Sequence, residues 1–386
     1  MFEDGDSGRA RSMTTDTAES ARPHLGGIES LRGYAASAII LFHVVHLAGE
    51  ATPRSLSFIG QVFGYGVPLF FVVSAFSLTY GYQGRLGSRG EIGRFYQRRL
   101  FRIAPLYYVA LLFTIFTHGG FAWMGENLGL VALNFTFLFG LFPTAVDGIA
   151  PASWSIGAEM LFYAVLPLVL MVVRGPLSAA AATGMATIIA VISGVRLDAL
   201  PDMPGAFIQH GFLFNLPYFG FGLLACFLYR RGGPPRPGWA LAGAAVCLAM
   251  LYAMAMLPGP MMESRIGNTI FQALWGAPFA LLCLGMAWAP PALLSNPLTQ
   301  FLGKISFSLY LAHPHVIGWM KYFGGYERVN ALPGGSGVHF PAAVLLTFAA
   351  TVPVAWLLYR LVEEPGMALG RAVARGRPRR DQNTLP

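Results

Sequence analysis

Apolar runs about one membrane thickness long recur along most of the chain, separated by shorter polar breaks. A helix rises about 1.5 Å per residue, so about 20 apolar residues carry it across roughly 30 Å of hydrocarbon. On that measure the pattern predicts ten spanning helices, near residues 31–49, 57–80, 101–117, 155–173, 178–195, 210–229, 239–257, 268–289, 302–320 and 341–361. A further apolar stretch, from Leu128 to Phe142, is short for a span and interrupts the alternation of loop charges described below. It is read as a re-entrant or interfacial element, whose irregular backbone must be shielded by protein. The expected fold is all-α: a polytopic membrane helix bundle of about ten transmembrane helices plus this one segment. The membrane domain is expected over residues 28–366, with a disordered tail at 1–27 and a basic tail at 367–386, both cytoplasmic.

Composition agrees. Of 386 residues, 55% are hydrophobic and only 11% charged, and the mean hydropathy is +0.55. Soluble domains carry about 25% charged residues, so this chain cannot cover itself with a water-facing surface. The net charge of +8 could point to nucleic acid, but its placement argues for topology. With the N-terminus inside, 21 of the 26 Lys and Arg residues fall on the inner side, and Arg54, Arg196, Arg265, Lys321 and Arg328 fall on the outer side. This is the positive-inside bias of a multi-pass protein in a bacterial-type inner membrane with both termini cytoplasmic. Membrane lipids are the partners implied by the basic C-terminal end, and no nucleic-acid partner is expected. Cys226, Cys247 and Cys283 lie in apolar segments, where neither a disulfide framework nor a metal site is expected. No cleaved secretion signal is expected, and no nucleophile elbow, phosphate-binding loop or zinc-binding helix motif occurs. Any chemistry must happen inside the bundle.

Polar groups within apolar helices cost free energy and commonly mark a substrate path or proton relay. The first span, from Ile28 to His46, opens on Arg32 and closes on His43 and His46. Eleven residues at about 100° and 1.5 Å each put Arg32 and His43 on nearly one face, roughly 16 Å apart. His43 is thus a candidate for chemistry, against the plainer alternative of a hydrogen bond to a neighbouring helix; His46, nearer the far interface, is read as structural. Ser74, in the second span, is expected mainly to pack. Arg94, Arg98 and Arg102 share a helical face beside Arg99; guanidinium forks suit phosphate oxygens, although topology signals also place arginines there. Glu159 enters an otherwise apolar helix just after Trp154 and Ser155, and its charge needs a partner. In the stretch from Leu302 to His315, Ser306 and Tyr310 are four apart, and His313 lies deeper, beside Pro314. A wet cavity or helix cross-links would account for them.

Together these stretches resemble acyltransferase family 3, integral-membrane O-acyltransferases that modify glycans and some small molecules. The resemblance runs from about residue 28 to 366. It rests on Leu31-Arg-Gly with His43, Val67-Pro-Leu-Phe-Phe-Val-Val-Ser74, Arg99-x-x-Arg102 with Pro105, Trp154-Ser-Ile-x-x-Glu159, Gly303-Lys-Ile-Ser-x-Ser-Leu-Tyr-Leu-x-His313 and Glu363-x-Pro365. The chain departs from the family pattern at Glu29-Ser30, Ala75 and Glu364. The resemblance implies a cytoplasmic acyl-CoA co-substrate, commonly acetyl-CoA, with no permanently bound cofactor, and a glycan or glycolipid hydroxyl as acceptor. His43 would be general base or acyl relay, and Glu159 would orient the imidazole, stabilise its cation or bind acceptor hydroxyls. Arg32, Arg99 and Arg102 would anchor CoA, and Trp154, Ser155, Tyr310 and His313 would contact substrate. The alternative class is a transporter or flippase for a polar or glycolipid solute without covalent chemistry.

Overall fold

The computed structural model describes residues 24–232, 238–256 and 273–375. The N-terminal tail through residue 23, the end of the basic tail from 376, Arg236, Arg265, and residues 257 and 268–272 of the seventh and eighth expected spans lie outside the described residues.

In chain order the helices are α1 (Gly26–His46), α2 (Phe58–Val62), α3 (Gly66–Tyr82), α4 (Arg89–Thr117), α5 (Gly120–Glu126), α6 (Leu128–Phe135), α7 (Ser153–Val172), α8 (Pro176–Asp198) and α9 (Gly205–His210). There follow α10 (Phe212–Arg230), α11 (Gly238–Met256), α12 (Gly276–Trp288), α13 (Pro297–Lys304), α14 (Ser306–Tyr322), α15 (Gly325–Asn330), α16 (Ser336–Leu358) and α17 (Glu364–Arg375). Among the described residues there is no strand. Among the described residues, seven helical stretches are long and apolar enough to cross a membrane: Gly26–His46, Arg54–Tyr82, Arg89–Thr117, Ser153–Val172, Pro176–Leu197, Gly205–Arg230 and Ser336–Ala374. The expected spans at 239–257, 268–289 and 302–320 correspond to α11, α12 and the pair α13–α14. Large apolar side chains cover the outside, with Leu177 85% and Leu345 71% exposed. Such a surface suits lipid rather than water.

The stretch from Leu128 to Phe142 is not one continuous helix. α6 ends after two turns, Phe137 takes a positive φ of 60°, and a 3-10 turn covers Phe139–Leu141. Asn134, fully buried, ties the break together: its side-chain oxygen accepts from the Tyr107 hydroxyl (2.8 Å) and the Ile149 amide (3.0 Å), and its amide donates to Leu130 O (2.8 Å). Irregular backbone among apolar elements is tolerated where protein groups satisfy it in this way.

α1 runs through the interior against α3, α12, α13 and α14. Its approach to α13 is set by two glycines. A Cβ on Gly303 would fall 1.9 Å from Glu29 O, and one on Gly33 2.6 Å from Thr299 O. The two backbones therefore touch, as small residues permit between packed membrane helices, and Arg32 is brought beside the α13–α14 junction at Ile305. At the other end of the chain, α16 passes into a π-turn at Tyr359–Glu363. Such turns shift the helical register locally, and Glu363, at the end of this one, is buried. The first residues of the expected basic tail, from 367, belong to α17, which lies along α4.

Candidate active site

Three expected site arginines meet in one cavity between α1, α3, α4, α7 and α14. Arg32, Arg99 and Arg102 line it together with Glu159, Ser155 and Tyr310. Of the face proposed from spacing, Arg98 is exposed and points elsewhere, so the cavity receives the i, i+3 pair Arg99 and Arg102. A second, more open cavity shares Arg32, Ser77 and Arg102 with the first and adds His24, Glu29 and Lys304. It is the mouth at the N-terminal end of α1.

The arginines differ in what already holds them. Arg102 donates through Nη1 to Glu363 Oε1, and Ser308 Oγ donates to Glu363 Oε2 at 2.6 Å, so this carboxylate and its guanidinium are matched. Arg32 makes no side-chain hydrogen bond or ion pair among the described residues. Arg99 packs between the rings of Tyr82 (5.6 Å) and Tyr163 (6.0 Å), while its buried Nε has no hydrogen-bond partner among the described residues. Glu159 Oε1 accepts from Ser74 Oγ and Tyr163 OH, both at 2.6 Å. Ser74, expected mainly to pack, thus holds the cavity's carboxylate. Ser155 Oγ donates to Tyr310 OH (2.8 Å), which donates to Ala152 O (3.0 Å), tying the start of α7 to α14.

The imidazoles form a separate pair next to this cavity. His313 Nε2 lies 2.9 Å from His43 Nδ1. The hydrogen bonds assign the tautomers. His43 Nδ1 is 3.0 Å from Ile39 O, and His313 Nδ1 is 3.2 Å from Leu309 O. A carbonyl only accepts, so both Nδ1 atoms carry hydrogen. His313 Nε2 is then an acceptor, and His43 Nδ1–H is shared between it and Ile39 O. In the neutral ring the lone pair of His43 sits on Nε2, which makes no hydrogen bond among the described residues. Tyr310 lines the arginine cavity and also packs its ring 5.9 Å from that of His313. It is the wall between the two halves. His46 stands apart, bonded to Gly60 O at 2.7 Å.

A half-buried imidazole with its basic nitrogen unbonded, beside a cavity of arginines, suits proton transfer near an anionic substrate. The pattern matched by the whole bundle decides which kind: the acyltransferase domain model covers residues 25–360. The chain belongs to acyltransferase family 3. This membrane acyltransferase is 27% identical over 384 residues to acyltransferase MdmB of Streptomyces mycarofaciens, covering 92% of this chain and 94% of that one. It is 25% identical over 288 residues to "Putative acetyltransferase ORF330" of Acidianus two-tailed virus, covering 74% of this chain and 81% of that protein. No solved structure matches it.

Within the acyltransferase, the structure brings Arg32, Arg99, Arg102, Glu159, Ser155 and Tyr310 together and pairs His43 with His313. It does not bring Trp154 to the cavity: that ring stacks on His210 at 4.2 Å, and His210 Nδ1 is 2.5 Å from Asp147 Oδ1. Nor does it join Glu159 to His43 by a hydrogen bond among the described residues. Sequence reasoning assigned no role to Ser308 or Tyr163, and quoted Glu363 without a partner. The signal available for Glu363 was a carboxylate at the end of an apolar span, which needs a cation.

Proposed function

We propose that this acyltransferase moves an acyl group, acetyl by preference, from cytoplasmic acyl-CoA to the hydroxyl of a glycan or glycolipid acceptor at the outer face of a bacterial inner membrane. The observation that carries the proposal is the His43–His313 pair, which leaves the basic Nε2 of His43 unbonded. Arg32 and Arg99 supply positive charge with few partners of their own to the phosphate end of the donor. The acyl end passes Tyr310 to reach the imidazole. His43 Nε2 takes the acceptor's hydroxyl proton as its oxygen attacks the thioester carbonyl. The C–S bond then breaks, and the imidazolium returns that proton to the departing thiolate. His313 Nε2 accepts from His43 Nδ1–H throughout, so orienting the imidazole falls to His313. Glu159, held by Ser74 and Tyr163, serves as counter-charge to the arginines.

The test is a strain lacking this chain, complemented with wild type or His43→Ala, with mass spectrometry of its surface glycans and lipids. Wild type should restore an acyl mass that His43→Ala, expressed and inserted equally, does not. Restoration by His43→Ala would remove the base; no acyl difference between deletion and wild type would remove the acceptor class.

A further inference from the structure

The α13–α14 junction leaves a helix start inside the arginine cavity. The ladder closes with the Ile305 amide donating to Phe301 O and Gly303 O, and resumes with the Leu309 amide donating to Ile305 O. Among the described residues, no side chain caps the new helix. The first amides of α14, those of Ser306, Phe307 and Ser308, have no partner within their own helix, and with the 17-residue helix behind them they carry its positive dipole end. A second observation points the same way. The Ser306 side chain is fully buried and lines the cavity, yet its hydroxyl has no hydrogen-bond partner among the described residues. A buried hydroxyl without a partner costs free energy, and here it lies in the same cavity as the unpartnered Nε of Arg99. Arg102 adjoins the site, its guanidinium 5.9 Å from the Phe307 ring centroid. Helix start, free hydroxyl and guanidinium groups are the donors that phosphate oxygens take.

We infer that the helix break at Ile305 is an anion seat, with Ser306 Oγ and the first amides of α14 binding a phosphate group of the substrate. The inference rests on the acyl-CoA reading for the identity of that substrate only. Ser306 and His313 are seven residues apart on α14, so the seat lies ~10 Å from the imidazole pair along one rigid helix. An extended arm must join the phosphate to the reacting carbonyl. The seat therefore sets how deep the donor enters, while Arg32 and Arg99 supply charge around it.

The test uses the full chain purified in detergent, with calorimetry for inorganic pyrophosphate, acetyl-CoA and short-chain phosphatidylglycerol. Ser306→Ala leaves no orphaned partner behind and should weaken pyrophosphate and acetyl-CoA about tenfold. Ser306→Pro, at the first helical position where proline is tolerated, also removes one amide and should weaken both further. Ser306→Thr, which keeps the hydroxyl, should bind as wild type. Acetyl-CoA should displace pyrophosphate, and phosphatidylglycerol should not. Unchanged affinity for both anions in Ser306→Ala and Ser306→Pro would overturn the seat while leaving the acyl-CoA reading in place. Ser306-dependent pyrophosphate binding that acetyl-CoA does not displace would keep the seat and overturn that reading. Displacement by phosphatidylglycerol alone would give the seat to a lipid headgroup and overturn the assignment to the donor.

Discussion

Replacing His313 with leucine tests the imidazole pair most directly. His313 is fully buried, and its Nε2 accepts from His43 Nδ1–H at 2.9 Å. Leucine removes that acceptor at similar volume, and His43 Nδ1–H keeps its bond to Ile39 O, so no donor is orphaned and the fold should persist. The loss falls on the state in which His43 has become imidazolium, because its Nδ1–H then bonds as part of a cation. A hydrogen bond to a charged group contributes about 1.5–3 kcal/mol. At 1.36 kcal/mol per tenfold in rate, kcat should fall about 10- to 150-fold. Acyl-CoA affinity should change less than about twofold, since the lost interaction belongs to the transition state. His313→Gln can place an amide oxygen near the former Nε2 and should recover much of the rate. The assay is thiol release from acetyl-CoA by purified protein, with donor affinity measured separately by calorimetry. A His313→Leu variant with wild-type kcat, or one whose rate loss matches a loss of donor binding, would refute the pairing as part of the chemistry.

Two further perturbations bear on the scaffold. Gly303→Ala puts a Cβ 1.9 Å from Glu29 O and must push α13 from α1. Overpacking of this kind costs about 1–3 kcal/mol, so the melting temperature in detergent and donor binding should both fall, whereas Gly318→Ala, with nothing within 4 Å, should leave both unchanged. Glu363→Gln removes the charge facing Arg102, whose side chain is only 15% exposed; breaking one side of a buried pair costs about 3–5 kcal/mol. Thermal unfolding should show that loss, and the double variant Glu363→Leu with Arg102→Met should recover most of it; failure to recover would mean the pair is not an isolated unit.

The bundle itself was legible in the sequence because membrane spans are local: each needs only enough consecutive apolar residues. The interrupted stretch from Leu128 to Phe142 was legible for the same reason, being too short for a span. Arg32, Arg99, Arg102, Glu159 and His43 stood out because polar groups in apolar helices are costly wherever they pack. Which of these groups meet was decided only by tertiary structure. His43 and His313 are 270 positions apart, and Arg102 and Glu363 are 261 apart; no local periodicity relates them. The resemblance implied Glu159 as the group orienting the imidazole and His313 as a substrate contact, whereas helix packing sets His313 against His43 and Glu159 against Ser74 and Tyr163. The break at Ile305 was likewise hidden, since no proline marks it and nothing local forbids a continuous helix there. Trp154 shows the converse: its sequence neighbours Ser155 and Glu159 face the cavity, but α7 turns its ring to His210. Sequence determined which side chains had to find polar company inside a membrane. Helix packing decided which company they found: the close approach of α1 to α13 at Gly33 and Gly303, for one, is what sets Arg32 beside the start of α14.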